Sequence, residues 1–298
     1  MVQVPHHTGE LIFERQQGRT VATHEYVAYP LKFLHPTAMI TPGMPTAVTC
    51  ILGYGGGLVG GDSTHMHVQV RAHASVVLCT QATTKVYKAK PRHPTLSTQE
   101  LTVSIGPDAI LALVPDPVTC FDGAMYKQHQ RFSLAPSANL VFIDWMTSGR
   151  HARGESWSFA SYDSCNDVTM IDDAAPVLLD RVRLQHEIDH DLAGRMGGMR
   201  VLGTIVLLGP RVAAMAQALL VQGARKTLQP NAAPVPSGHL PSSTAAPINV
   251  RVAVSPLGSD GAIVRLAAPT TEDAYAYAKT VLAPLETLVG FKCFEENR

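Results

Sequence analysis

The chain has 298 residues and a formal net charge of zero at pH 7, with 24 Lys plus Arg balanced by 24 Asp plus Glu. This balance argues against a polybasic binder of nucleic acid or of a membrane surface. Charged residues make up only 16% of the chain, against about 25% in an average soluble domain, and hydrophobic residues make up 46%. We therefore expect a partner protein to cover part of the surface.

Targeting and redox signals are weak throughout the chain. No run approaches the roughly 20 apolar residues of a bilayer-spanning helix, and the first residues lack the basic and apolar regions of a signal peptide. The five cysteines are scattered, odd in number and without a CxxC pair. This usage is typical of reduced thiols rather than of a disulfide framework or a thiolate zinc site. The sequence predicts a cytoplasmic protein without a membrane segment.

Short alternating or apolar runs dominate the first two hundred residues. In the first of them Met66, Val68 and Val70 alternate with polar residues, as in a half-buried strand. Clusters of Gly, Pro, Asn or Asp separate the runs at nearly regular intervals. The strands predicted in this way cover residues 64–71, 75–81, 101–105, 110–114, 140–146 and 177–184. The chain is therefore predicted to be mostly β structure.

Two helices are predicted in the C-terminal third. Residues 210–225 carry apolar side chains at helical spacing, and Pro210 suits a first turn. The second pattern runs from about 271 to 288, with Pro284 expected to interrupt it. Between them, residues 229–247 are rich in Pro, Ala and Ser and too poor in apolar bulk to pack. Because strands are predicted again at 248–254 and 262–266, we expect one domain over 1–298, interrupted by an insertion at about 227–248.

Gly55, Gly57 and Gly60 form a literal GxGxxG. In a dinucleotide site this motif joins a strand to a helix, and an acidic residue follows about 20 positions later. Here the next residues alternate as a strand, and residues 63–99 contain no Asp or Glu. The segment is better interpreted as a glycine-rich turn that needs positive φ angles and close backbone approach.

An HExxH motif consists of His186, Glu187 and His190. On a helix this spacing places two imidazoles on one face to bind zinc, with the glutamate as general base. A third ligand is not evident, because Ala193 and Met196 stand where a metzincin has Gly and His. Adventitious metal binding and a solvated polar connection are the other interpretations. A zinc-dependent hydrolase is nevertheless the alternative function that the sequence offers.

Five segments resemble, in this order and spacing, the urease accessory protein UreD (UreH) family. They are residues 29–32 (YPLK), 58–62 (LVGGD), 80–87 (TQATTKVY), 115–121 (PDPVTCF) and 145–155 (WMTSGRHARGE). The match covers roughly residues 29–210, and the insertion is not a standard feature of the family. With the strand pattern, the resemblance predicts a mainly β fold of stacked, β-helix-like sheets with two α-helices in the C-terminal third.

The resemblance also implies a function. Members of this family are maturation factors and not enzymes, so no catalytic residue is expected. They bind apo-urease and the accessory protein UreF, which recruits the GTPase UreG, and the assembly installs nickel in the urease active site. Nickel is thought to move through an internal passage, which makes it a cargo in transit rather than a tightly bound cofactor. No nucleic-acid partner and no membrane are implied.

Charged residues of the matching segments are the candidates for such a passage. Carboxylates that attract a hydrated cation without capturing it suit transit, whereas tight coordination would stop it. The interpretation that competes is structural, with an Asp capping a turn or an ion pair fixing a loop. The candidates are Asp62, Asp116 and Glu155, with Lys85 and Arg150 as charge partners and His65, His67, His186 and His190 as weaker metal contacts.

Charge is also distributed unevenly along the chain. Residues 63–99 carry five Lys or Arg and no acid, whereas residues 154–180 carry six acids and no Lys or Arg. Such segregation favours separate surfaces for separate partners, or an acidic route for a cation.

Overall fold

A computed structural model describes residues 7–89, 95–173, 175–185, 191–228 and 248–294. Two of the sequence predictions, the HExxH at 186–190 and most of the insertion at about 227–248, lie outside the described residues.

Within the described ranges, strands greatly outnumber helices. The strands are β1 (Gly9–Gln16), β2 (Arg19–Val27), β3 (Leu31–Leu34), β4 (Ala47–Gly53), β5 (Gly57–Leu58), β6 (Ser63–Val70), β7 (Ser75–Cys79), β8 (Thr84–Val86), β9 (Ser97–Ile105), β10 (Ile110–Val114), β11 (Val118–Cys120), β12 (Met125–Leu134), β13 (Asn139–Thr147), β14 (Ser161–Met170), β15 (Pro176–Gln185), β16 (Val201–Leu208), β17 (Arg251–Leu257) and β18 (Gly261–Ala268). The helices are α1 (Leu192–Arg195), α2 (Ala213–Leu228), α3 (Thr271–Leu282) and α4 (Leu285–Val289). The prediction of a mostly β chain is confirmed.

The strands form two sheets, and the chain passes repeatedly from one sheet to the other. The seven-stranded sheet has the order β15-β14-β12-β9-β6-β1-β2. The eleven-stranded sheet has the main order β17-β18-β16-β13-β10-β7-β4-β3, with β5, β8 and β11 in a short ladder at its side. Consecutive passes stack in parallel, as in β6–β9–β12–β14 and β4–β7–β10–β13. The predicted stacked, β-helix-like arrangement is therefore confirmed.

The eleven-stranded sheet buries both of its faces, which explains its continuous apolar strands. Along β13, Leu140 and Phe142 point into the space between the sheets, whereas Val141 and Ile143 point to the opposite face. There they pack in a core that includes apolar residues of α2, α3 and α4. Each such side chain contributes about 1.5–3 kcal/mol when it is fully buried. The strand period of two thus assigns neighbouring residues to two different cores.

The sequence predicts both long helices, but the first of them begins later than expected. Helix α2 begins at Ala213 rather than in the turn of Pro210. The side-chain oxygen of Asn139 accepts the backbone N–H of Arg211 at 2.7 Å, which holds the preceding residues in a turn. Helix α3 is capped by Thr270, whose hydroxyl accepts the N–H of Asp273. Pro284 separates α3 from α4, as expected. No helix in the described part of the chain is long and apolar enough to cross a membrane.

The glycine-rich segment is a turn followed by a strand, and not a strand–helix junction. Gly55 and Gly56 have φ angles of 70° and 73°. A Cβ added to Gly57 would lie 2.2 Å from the carbonyl oxygen of Lys85. Positive φ and close backbone approach therefore account for these glycines, which confirms the turn interpretation.

Candidate functional site

A partly buried carboxylate occupies the space between the two sheets. Asp144 lies on β13, on the same face as Phe142 two residues earlier. Three side chains from the seven-stranded sheet donate hydrogen bonds to it. Gln128 Nε2 lies 3.1 Å from Oδ1, and Ser164 Oγ and Asn166 Nδ2 lie 2.7 and 2.8 Å from Oδ2. Hydrogen bonds of this kind favour the ionised form of a carboxylate, and they join the two sheets through polar groups.

A second layer of polar side chains supports these donors. The Tyr126 hydroxyl lies 2.6 Å from Gln99 Oε1 and 2.8 Å from Gln128 Oε1, and Gln130 Nε2 donates to Asn166 Oδ1 at 2.9 Å. Asn166 thus accepts a bond at its oxygen, and Gln128 shares the single hydroxyl hydrogen of Tyr126 with Gln99. The cluster is satisfied internally, as a buried polar network must be if it is not to destabilise the fold.

Burial dominates the electrostatics of Asp144. It raises the pKa of this carboxyl group, while the bonds from Asn166, Ser164 and Gln128 act in the opposite direction. The negative charge of Asp180 raises the pKa further. Asp180 itself lies on β15 with 7% of its side chain exposed, and it accepts a hydrogen bond of 2.6 Å from Arg265 on β18. This ion pair links the two sheets beside the polar cluster.

A cavity of about 100 Å³ adjoins the cluster. Its lining includes polar side chains from both sheets, among them Thr64, Gln99, Gln128, Asp116 and Asp144. A cavity of this size, with carboxylate, amide and hydroxyl groups in a largely apolar lining, has room for several water molecules. The interior at this position is therefore able to accommodate a small hydrated ligand.

Among the sequence candidates in the described ranges, Asp116 alone lines this cavity. Its Oδ2 accepts a bond of 3.1 Å from the Thr80 hydroxyl, which in turn accepts the backbone N–H of Asp116. Its Oδ1 accepts a bond of 2.8 Å from the hydroxyl of Tyr275 on α3. The carboxylate therefore connects the helical layer to the cavity wall.

Asp62 and Glu155 lie in loops, and the cavity lining does not include them. Asp62 Oδ2 accepts the backbone N–H of Val59 at 2.9 Å and so caps a turn. Glu155 forms a bidentate ion pair with Arg150, whose guanidinium also lies 3.9 Å from the ring centroid of Phe121. The hydrogen bond from Arg150 lowers the pKa of Glu155. Both carboxylates thus have the structural contacts expected of a turn cap and a fixed loop.

The other candidates lie on the outside. Lys85 is exposed on β8. His65 Nε2 lies 3.0 Å from Ser63 Oγ on the outer face of the seven-stranded sheet. The His67 ring lies 3.8 Å from that of His7, and burial together with this neighbour lowers the pKa of His67. Among the described residues, no three His, Cys, Asp or Glu side chains are grouped to hold a metal ion. His186 and His190 fall outside those residues.

The five segments that carry the family resemblance meet at one end of the molecule. Their meeting point is the short ladder of β5, β8 and β11 beside β13. The backbone N–H of Tyr54 donates to Pro30 O at 2.9 Å. The pairs that join the remaining segments are Leu58 with Val86, Val86 with Cys120, and Val118 with Met146. Segments that are far apart in sequence are therefore joined in one region of the fold, which we call the loop end.

Sequence reasoning missed Asp144 and its donors. One signal was present, because Asp144 is the single carboxylate in the otherwise apolar run of β13. Its donors gave none, since β14 carries polar residues on both faces and an inward Ser164 or Asn166 looks like any surface residue.

The uneven charge along the sequence is partly cancelled by folding. Of the six acids in residues 154–180, three form ion pairs with arginines from outside that stretch, namely Glu155 with Arg150, Asp163 with Arg181, and Asp180 with Arg265. The acidic stretch is therefore not a free acidic surface as a whole.

The fold and the site define a β-helix-like, two-sheet protein with a polar interior beside an elaborated loop end. Comparison with known proteins gives the family. The model of the UreD urease accessory protein family matches residues 6–292. The chain is 35% identical to urease accessory protein D of Arabidopsis thaliana over 299 residues, covering 95% of this chain and 98% of the relative. It is 38% identical to urease accessory protein UreD of Sorangium cellulosum over 283 residues, covering 95% and 81%.

A third relative, urease accessory protein D of Oryza sativa subsp. indica, is 34% identical over 290 residues, covering 95% of this chain and 94% of the relative. The chain belongs to the UreD urease accessory protein family. Its role is in urease maturation.

Proposed function

We propose that this chain is a non-catalytic scaffold and metallochaperone of the cytoplasm. In this proposal it binds apo-urease and a UreF-type accessory protein, which recruits a UreG-type GTPase. Nickel then reaches the urease active site through the space between the two sheets, as cargo rather than as a resident cofactor. The partly buried Asp144, beside a cavity that carries polar groups from both sheets, is the observation that supports the passage.

The chemistry of the cluster suits a cation in transit. A carboxylate attracts a divalent cation, and the surrounding amide and hydroxyl groups can exchange hydrogen bonds with its water shell. Capture would need several charged or imidazole ligands converging on one point, and Asp144 receives only neutral donors. The site therefore favours passage over retention.

Asp116 supports an extension of the route to the cavity wall. Its carboxylate adds a second negative charge to the lining, at the side where α3 packs on the sheet. Two carboxylates separated by neutral polar groups form an attractive path without a deep trap. A partner protein that contacts the helical layer would be connected to this path through the hydrogen bond between Tyr275 and Asp116.

The test is complementation of a urease-positive strain that lacks this chain. Wild type should restore urease activity and nickel content per urease molecule. Asp144→Asn keeps the size of the side chain and removes its charge, so we expect urease that is assembled with its accessory proteins but poor in nickel. The matched control is Asp260→Asn, a carboxylate on an exposed turn bonded to Ser259.

Two outcomes separate the parts of the proposal. Normal urease activity in the deletion strain would contradict the maturation role as a whole. Full nickel loading of urease in the strain that carries Asp144→Asn would contradict a passage through this cluster. It would leave the scaffold role in place.

A further inference from the structure

Two large aromatic side chains are exposed side by side at the loop end. Tyr29 and Tyr54 expose 70% and 57% of their surfaces, and their ring centroids lie 5.8 Å apart. Val59, in the same glycine-rich segment, exposes 49%. We call these three residues and the neighbouring Lys85 the tyrosine patch. Exposed aromatic clusters of this kind are typical of protein interfaces, where tyrosine supplies much of the binding energy.

The backbone beneath the patch is fixed by specific contacts. The Tyr54 N–H donates to Pro30 O at 2.9 Å, and the Tyr87 hydroxyl donates to Gly55 O at 3.3 Å. Gly57 packs so closely on the carbonyl of Lys85 that no side chain fits there. A surface that is ordered before binding loses little conformational entropy when a partner docks.

The charge of the patch is positive. Lys85 is exposed and forms no ion pair with any acid in the described part of the chain. Arg153, on the adjoining loop fixed by Arg150 and Glu155, is also exposed. The complementary partner surface therefore carries carboxylates around an apolar recess that receives the two tyrosine rings.

The position of the tyrosine patch indicates which of the two proposed partners binds there. Leu31 and Thr84, which line the cavity, are close neighbours in sequence of Tyr29 and Lys85. Helices α2, α3 and α4, by contrast, lie on the outer face of the eleven-stranded sheet, away from the space between the sheets. A client that receives cargo from the interior needs contact where the interior opens. The helical layer is then available to the accessory protein.

We propose that the tyrosine patch docks the client apoenzyme, through an acidic surface with an apolar recess on that enzyme. This inference rests on the proposed function and adds to it the side of the molecule on which the client binds. The remaining exposed surface of the chain is then free for the accessory protein.

The experiment measures binding of the purified full-length chain to purified apo-urease and, separately, to its UreF-type partner. Tyr29→Ser/Tyr54→Ser should weaken binding to apo-urease by about 30-fold or more, as loss of an aromatic hot spot does. Lys85→Glu should weaken it by about tenfold and reduce its dependence on salt. Binding to the UreF-type partner should stay within about twofold for both variants.

Matched controls come from the seven-stranded sheet. Leu179→Ser removes a side chain that is 64% exposed on β15, and Lys127→Glu reverses an exposed charge on β12. Neither should change binding to apo-urease. Because Tyr29 is so exposed, Tyr29→Ser alone should melt like wild type, and it serves as the second variant if the double variant is unstable.

Unchanged binding of apo-urease by Tyr29→Ser/Tyr54→Ser would overturn the proposal. So would loss of the UreF-type partner with apo-urease still bound, which would assign the patch to the other partner. Complementation keeps the two hypotheses apart. If deletion of the chain abolishes urease activity and the double variant restores it fully, the docking inference fails and the proposed function stands.

Discussion

The same two sheets enclose two different interiors. In one half, Phe132 from the seven-stranded sheet stacks on Phe142 from the eleven-stranded sheet, with ring centroids 5.0 Å apart. In the other half, Gln128 from the first sheet donates to Asp144 from the second. Phe142 and Asp144 are two residues apart on one strand and face the same way. The backbone therefore provides one scaffold, and the side chains divide it into an apolar half and a polar half.

The two halves contribute differently to stability. The apolar half gains free energy from every side chain it removes from water. The polar half must replace each hydrogen bond lost to water by a bond inside the protein, so its net gain is about 1 kcal/mol per bond or less. We infer that the apolar half stabilises the fold and that the polar half is maintained for its chemistry.

The largest expected effect tests this division in the apolar half. Phe142→Ala removes a fully buried ring and its stacking partner's contact, and it should lower the free energy of unfolding by about 3–5 kcal/mol. Urea denaturation measures this loss, with Phe142→Leu as the control that keeps most of the volume. Nickel loading per folded molecule should change little. A loss below about 1 kcal/mol would show that this half does not carry the stability of the domain.

The polar half should respond less in stability and more in function. Asp144→Ala leaves three donors, of which Ser164 and Asn166 are buried, without their acceptor, which should destabilise the fold by about 1–3 kcal/mol. Asp144→Asn should be milder, because the Gln128 amide can turn over and accept a bond from the new side-chain NH₂. Denaturation and complementation on the same samples compare the two variants. Equal stability losses for Ala and Asn would mean that charge, rather than hydrogen bonding, holds the cluster.

Much of this architecture could be predicted from the sequence, because it depends on local patterns. The alternation of Met66, Val68 and Val70 assigned β6 to a half-buried strand, and Pro284 marked the break between α3 and α4. The polar interior could not be predicted in the same way. Gln128 and Asn166 meet Asp144 only through the pairing of two sheets, and the sequence pattern of a single strand does not show which partner lies opposite.

The candidate carboxylates illustrate the same limit. Asp62, Asp116 and Glu155 were equivalent as charged members of matching segments. The fold places only Asp116 at the cavity, and it gives Asp62 a turn to cap and Glu155 an arginine to pair with. Membership of a motif therefore does not fix the depth of a side chain, because that depth depends on tertiary contacts.

A smaller effect is expected where the two sheets are joined beside the polar half. Arg265→Gln leaves Asp180, which is 7% exposed, without its cation. Because Arg265 itself is 53% exposed, water screens the pair, and we expect a loss of only about 1 kcal/mol. Lys88→Gln, which breaks the exposed pair with Asp122, is the control and should cost less than about 0.5 kcal/mol. Equal losses for both would show that burial of Asp180 does not matter.

The smallest expected effect is on the pH dependence of stability. Its sign should differ between Glu155, which is paired with Arg150, and Asp144, which lies between the sheets. The hydrogen bond from Arg150 lowers the pKa of Glu155, so ionised Glu155 stabilises the fold, and this contribution is lost as pH falls below roughly 4. Burial raises the pKa of Asp144, so ionised Asp144 opposes folding, and this cost disappears as pH falls through the raised pKa towards roughly 4.

Urea midpoints measured from about pH 7 to pH 3 should therefore diverge for two isosteric variants. As the pH falls, wild type should lose stability relative to Glu155→Gln. Over the same range it should gain stability relative to Asp144→Asn. If the wild-type and Asp144→Asn curves instead run parallel, the pKa of Asp144 is the same in the folded and the unfolded chain, because only a difference between the two states makes stability depend on pH. The bonds from Asn166, Ser164 and Gln128 would then offset the effect of burial, and Asp144 would be ionised at neutral pH and available to attract a cation.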